Sequence, residues 1–203
     1  DSSELDEILG TVIDTDDDVQ LILNNASITN KNGPAIYVED ANSVSIVLKG
    51  ENTVTSNTTE ELDGAVYSTD DLIFSGDGSL TVISNLDGIV SKDTLVINSG
   101  TYSIEADDDG IRGKDSVAIV DGSFNITVGG DGIKSTNEED ASLGTVAIDG
   151  GSFTINSVND AIQAQTNLSI NGGTFNITTT GNTNSVSAKG IKGVNSVVIT
   201  GGT

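Results

Sequence analysis

Residues 109–135 read DGIRGKDSVAIVDGSFNITVGGDGIKS. The Asp-Gly-Ile step that opens this stretch returns 22 residues later as Asp131-Gly132-Ile133. Between the two steps lie an alternating pair, Val117/Ile119, and an aromatic-led pair, Phe124/Ile126, entered through Asp121-Gly122. Period-two alternation over three to five residues, bounded by Gly, Asn and Asp, marks short strands and turns. The unit therefore holds three short strands, and no stretch of the chain shows a helical period.

The unit recurs in both directions. Its apolar residue appears at Ile36, Val66, Ile89, Ile111, Ile133, Ile162 and Ile191, at steps of 30, 23, 22, 22, 29 and 29 residues. A base repeat of 22 has been lengthened by loops, of which Thr136–Ala141 is one. The second burst recurs as Leu95/Ile97, Val146/Ile148, Leu168/Ile170 and Val197/Ile199, and the third as Tyr102/Ile104, Phe153/Ile155 and Phe175/Ile177. Three strands per repeat, in tandem, describe one coil of a parallel β-helix. A meander sandwich would instead need two-residue hairpin turns between longer strands. About eight coils spaced ~4.8 Å apart fit between Val19 and Thr203, a rod about 38 Å long. The chain reads as one domain, 1–203. It stops at Gly201-Gly202-Thr203, one residue before the next aromatic, as a segment of a longer protein would.

Composition suits a narrow core and removes several functions. Only 35% of the 203 residues are hydrophobic, thin for an ordinary two-layer domain. With 8 Lys+Arg against 31 Asp+Glu the net charge is −23, so nucleic acid and anionic membrane surfaces are not expected partners. No apolar run approaches the length of a membrane span. The absence of His and Cys excludes thiol chemistry, Ser-His catalysis and imidazole metal sites.

Stacking turns each repeat position into a column. Tyr102, Phe124, Phe153 and Phe175 share a register with apolar partners and belong inside the coil. Gly or Ala precedes the Ile column (Ala35, Ala65, Gly88, Gly110, Gly132, Ala161, Gly190), which reads as bare space for close approach of backbone or ligand. Outward from the same strand run Tyr37, Tyr67, Val90, Arg112, Lys134, Gln163 and Lys192. That column holds three of the eight cations and two of the three tyrosines. It reads either as neutralisation of nearby Asp or as a ligand groove, with Tyr37 and Tyr67 against sugar rings and Arg112, Lys134 and Lys192 facing carboxylates. Beside it stands a carboxylate ladder, Asp87, Asp109, Asp131 and Asp160, thickened by Asp107 and Asp108. Like charges ~4.8 Å apart repel by about 0.9 kcal/mol even in water, so intervening cations are required. Calcium, which accepts oxygen ligands in irregular turns, is the expected one, with Asp87, Asp108, Asp109, Asp131 and Asp160 as ligands. A second acidic column, Asp70, Asp93 and Asp115, and the run Asp14–Asp18 read as turn formers. A strip of Ser, Thr and Asn flanks the aromatic column (Ser79, Thr101, Ser123, Ser152, Thr174; Thr81, Ser103, Asn125, Thr154, Asn176) and reads as ordinary polar strand surface.

The stretch 109–135, with AVYSTDDLIFSGDGSLTV (65–82) before it and SAKGIKGVNSVVITGGT (187–203) after it, resembles the secreted bacterial carbohydrate-binding domain proteins of plant-fibre-degrading anaerobes. The resemblance covers roughly residues 19–203. It implies a right-handed, single-stranded, pectate-lyase-like parallel β-helix, secreted or held at the bacterial surface. It also implies bound calcium and recognition of plant cell-wall polysaccharides, namely cellulose and acidic polymers such as polygalacturonate. Nothing is carried over to the residues before Val19.

Two classes follow. One is a monomeric, non-catalytic, calcium-dependent polysaccharide-binding module, which the expectations favour. The other is a calcium-dependent pectate lyase with Arg112 or Lys134 as base. Against the lyase, the cations spread over several coils, the loops are short and the Asp ladder stabilises their protonated forms. A polygalacturonase would need the His that such enzymes' motifs contain, which this chain lacks, and an adhesin stalk or ice-binder would need neither ladder.

Overall fold

A computed structural model describes residues 10–181 and 187–203; residues 1–9 of the expected domain lie outside them. The described chain is all-β, a parallel β-helix of about seven turns. Among the described residues no helix is long and apolar enough to cross a membrane.

The three bursts of each repeat form three parallel sheets. The first contains Thr11–Asp14, Ile36–Asp40, Gly64–Ser68, Asp87–Ser91, Ile111–Gly113, Ile133–Ser135, Ile162–Ala164 and Ile191–Gly193, stacked in that order. The second sheet, exemplified by Ser116–Ile119, also has eight strands, and the third, exemplified by Ser123–Val128, has seven. Every pairing within the sheets is parallel and joins consecutive coils, as in Phe124 opposite Tyr102 and Phe153. The winding begins earlier than the repeat signature: Thr11–Asp14 pairs with Ile36–Asp40, although Gly10-Thr11-Val12 carries no Asp-Gly-Ile step.

Alternation explains the narrow core. Inward residues such as Ile36, Val66, Ile89, Ile111, Ile133 and Ile162 are wholly buried. The buried core runs from Ile13 to Ile170, while Val197 and Ile199 of the last coil are exposed. The aromatic column stacks as expected. Ring centroids of Tyr102, Phe124, Phe153 and Phe175 are 5.0, 4.8 and 4.8 Å apart, with planes within 6° of parallel. The coil spacing imposes this overlap. The turn into each third-sheet strand needs glycine for a separate reason. Gly122 has φ of 140°, and a Cβ there would lie 3.0 Å from both the Gly100 carbonyl oxygen and the Phe124 ring. L side chains rarely adopt that backbone.

Of the two uses expected of the small-residue column, close approach of backbone is the one seen at its central glycines. A Cβ on Gly110 would sit 2.6 Å from the Gly132 carbonyl oxygen and 2.9 Å from Ile126 Cγ2. At Gly88, Gly110 and Gly132 the adjacent coil and the core close on the position, which leaves no room there for a ligand.

Candidate functional site

The first sheet carries the expected column in one unbroken register, Tyr37, Tyr67, Val90, Arg112, Lys134, Gln163 and Lys192, and Val12 extends it by one coil; Val90 within it is wholly buried. Asp87 opens its strand, and Asp109, Asp131 and Asp160 each lie two residues before theirs. All four carboxylates are buried.

Burial of four carboxylates at coil spacing demands that every lone pair be met. The backbone meets half of them. Asp87 Oδ1 accepts the Asp109 N–H at 2.9 Å, Asp109 Oδ1 that of Asp131 at 2.7 Å, and Asp131 Oδ1 that of Asp160 at 2.7 Å. Asp160 Oδ1 takes the Lys189 N–H at 2.7 Å and the Ser187 hydroxyl at 2.7 Å. The basic column faces the other oxygens as ion pairs, in which Arg112 Nε and Asp160 Oδ2 make no hydrogen bond. Arg112 Nε lies 2.7 Å from Asp87 Oδ2, Lys134 Nζ 2.8 Å from Asp109 Oδ2 and 3.0 Å from Asp131 Oδ2, and Lys192 Nζ 3.1 Å from Asp160 Oδ2. Of the two readings of the basic column, these contacts match neutralisation of nearby Asp, and the intervening cations expected of the ladder are in part the protein's own. Arg112 and Lys192 each lean back one coil onto the preceding carboxylate, and Lys134 bridges that of the preceding coil and its own.

The electrostatics follow from burial and pairing. Burial pushes the Asp87 carboxyl up to about 7 against the pull of Arg112. Burial likewise raises Asp131, partly opposed by Lys134. Burial would raise Asp160, but the Lys189 N–H, the Ser187 hydroxyl and Lys192 outweigh it and hold it below the ordinary value. For Arg112 and Lys134 burial disfavours the charge, yet the facing carboxylates prevail and keep both protonated.

Of the five carboxylates expected to hold a metal, three converge. Asp87, Asp108 and Asp109 offer oxygens within 4.8 Å of one another, and Asp108 is exposed. A Cβ on Gly130, in the next coil, would lie 2.4 Å from Asp108 Oδ1 and 2.5 Å from Asp109 Oδ1. Glycine thus leaves room for two carboxylates to approach. Hard oxygen donors packed this closely suit calcium. Asp131 and Asp160 stand outside the cluster.

The tyrosines are less open than their spacing suggests. Tyr67 is 5% exposed, with Lys92 Nζ 5.4 Å from its ring centroid. The Tyr37 ring, half-buried, lies 5.9 Å away and tilted by 60°. Asp63 and Lys92 were not singled out in the sequence, although Lys92 shares the register of Lys114; the 30-residue step containing Asp63 is the signal that could have exposed it.

A family model described as carbohydrate-binding domain-containing protein matches residues 7–203. Among solved structures, the chain is similar to the gadolinium derivative of the polysaccharide lyase-like protein from C. thermocellum. The TM-score is 0.87 and the identity 30%, over 96% of this chain and 82% of that chain. No curated protein sequence matches it.

Proposed function

Since the chain belongs to the carbohydrate-binding domain-containing protein family, we propose that it is a calcium-containing, non-catalytic module of a secreted or cell-surface bacterial protein, acting as a monomer that binds cellulose and polygalacturonate. The observation that carries the proposal is the convergence of Asp87, Asp108 and Asp109 beside the outward column of the first sheet. A chain of net charge −23 repels a polyuronate at long range. The basic column relieves little of that, because its cations are committed to Asp partners. Calcium at the cluster would supply positive charge and coordination positions for a uronate carboxylate. Asp87 and Asp109 would hold it from the buried side and Asp108 from the exposed side.

The non-catalytic reading rests on the cations. Proton abstraction next to a uronate carboxylate needs a free base at neutral pH. Arg112 between Asp63 and Asp87, and Lys134 between Asp109 and Asp131, are held protonated. The lyase-like name of the similar structure keeps the alternative worth an assay.

Retention on polygalacturonate is expected to fall at least about tenfold in EDTA, and comparably in Asp108→Asn, while retention on neutral cellulose stays unchanged. Retention that EDTA leaves intact would remove calcium from the account. A sustained ultraviolet absorbance from unsaturated products, lost in Lys134→Ala or Arg112→Ala, would make the protein a lyase.

A further inference from the structure

Seven residues, 57–63, connect the third-sheet strand Glu51–Ser56 to the first-sheet strand Gly64–Ser68, where two residues, Asn85 and Leu86, make the same connection in the next coil. The longer connection is fixed at its start and its end. Thr58 N–H donates to Asn85 Oδ1 at 2.6 Å, and Asn85 Nδ2 returns a bond to the Thr58 carbonyl at 3.1 Å. The Asp63 carbonyl accepts the Asp87 N–H at 2.8 Å. What the insertion delivers is the Asp63 carboxylate, whose Oδ2 lies 2.5 Å from Arg112 Nη2, 49 residues away in sequence.

Arg112 is thereby clamped from two sides. Its Nε faces Asp87 of the ladder and its Nη2 faces Asp63 of the insertion, leaving the side chain 16% exposed. Lys134 and Lys192 have ladder partners and no such cover, and they are 22% and 28% exposed. The two carboxylates on Arg112 are not equally well held. Asp87 places its second oxygen on a backbone N–H, whereas Asp63 Oδ1 is buried with no hydrogen-bond partner. Each ladder carboxylate is also tied to a backbone N–H. Among the described residues the Asp63 carboxylate is held through Arg112 alone, and that makes it the partner more easily displaced.

We infer that Asp63 is a built-in competitor for the ligand: its carboxylate occupies the edge of Arg112 that a uronate carboxylate of the bound polymer takes. The inference rests on the polyuronate-binding reading above. Displacement needs only the Asp63 side chain to turn about χ1, because the Asp87 N–H keeps its backbone in place. A free monovalent acid would gain little by displacing it. A polymer already held at Asp87, Asp108 and Asp109 presents its next carboxylates at high effective concentration and can displace it. Asp63 therefore sets a preference for long uronate chains over short acids.

The test measures affinity for polygalacturonate and for cellulose in excess calcium. Asp63→Ala, and the shape-preserving Asp63→Asn, should bind polygalacturonate more tightly on the order of fivefold, with cellulose binding unchanged. Asp77→Asn, which removes the same charge at an exposed turn, should change neither, and adding Arg112→Ala to Asp63→Ala should cancel the gain. If wild type binds polygalacturonate and neither Asp63 variant exceeds it, the competitor falls and the proposed function stands. A gain that Asp77→Asn reproduces, or that survives loss of Arg112, would equally overturn it. If neither wild type nor any variant binds polygalacturonate, the proposed function fails and takes the competitor with it.

Discussion

Asp109→Ala is expected to lower the stability of the fold by about 3–5 kcal/mol, the range found when one partner of a buried ion pair is removed. Two losses combine. The Asp131 N–H loses its acceptor at 2.7 Å, and a buried unsatisfied donor alone costs ~1–3 kcal/mol. Lys134 loses the nearer of its two carboxylates and keeps only Asp131 at 3.0 Å. Asp109→Asn should cost less, since its amide oxygen still accepts the N–H but its charge no longer faces Lys134. Asp77→Ala, at an exposed turn, should stay within about 0.5 kcal/mol. Urea unfolding followed by circular dichroism reads all three. Equal effects of Asp109→Ala and Asp77→Ala would show the ladder to be ordinary surface charge.

Phe153→Ala should cost about the same, ~3–5 kcal/mol, for a different reason. Its ring is 1% exposed and lies 4.8 Å from both Phe124 and Phe175. Truncation removes two stacking partners at once and opens a void in a rod only three strands around. The neighbours cannot collapse into it, because their backbones are fixed by the ladders of adjacent coils. Phe175→Ala should cost less, since that ring is only partly buried. Comparable losses at the two positions would mean that burial does not set the cost.

The coils were legible because stacking converts a tandem repeat directly into spatial columns. Ile111 over Ile133, Phe124 over Phe153 and Arg112 over Lys134 follow from spacing alone, since in-register parallel strands permit no other arrangement. The first strand, Thr11–Asp14, was illegible because it carries the alternation without the Asp-Gly-Ile step. The columns also concealed which groups meet. Arg112 and Lys192 are long enough to lean back a coil, so each cation finds the carboxylate of the repeat before its own. Lys134 spans two repeats. The backbone N–H groups that take the inner oxygens are invisible in a reading of side chains, and counting charges alone left the ladder seeming to need metal throughout its length. The insertion delivering Asp63 belongs to no column, and only a fold that brings residues 63 and 112 together reveals its partner.

The most direct measurement is diffraction from crystals grown in calcium and soaked with an oligogalacturonate. The account predicts an ion bound by Asp87, Asp108 and Asp109, with a uronate carboxylate completing its shell and the sugar chain lying along the outward column of the first sheet. A saccharide bound on another face, or bound with no ion at those three carboxylates, would contradict it.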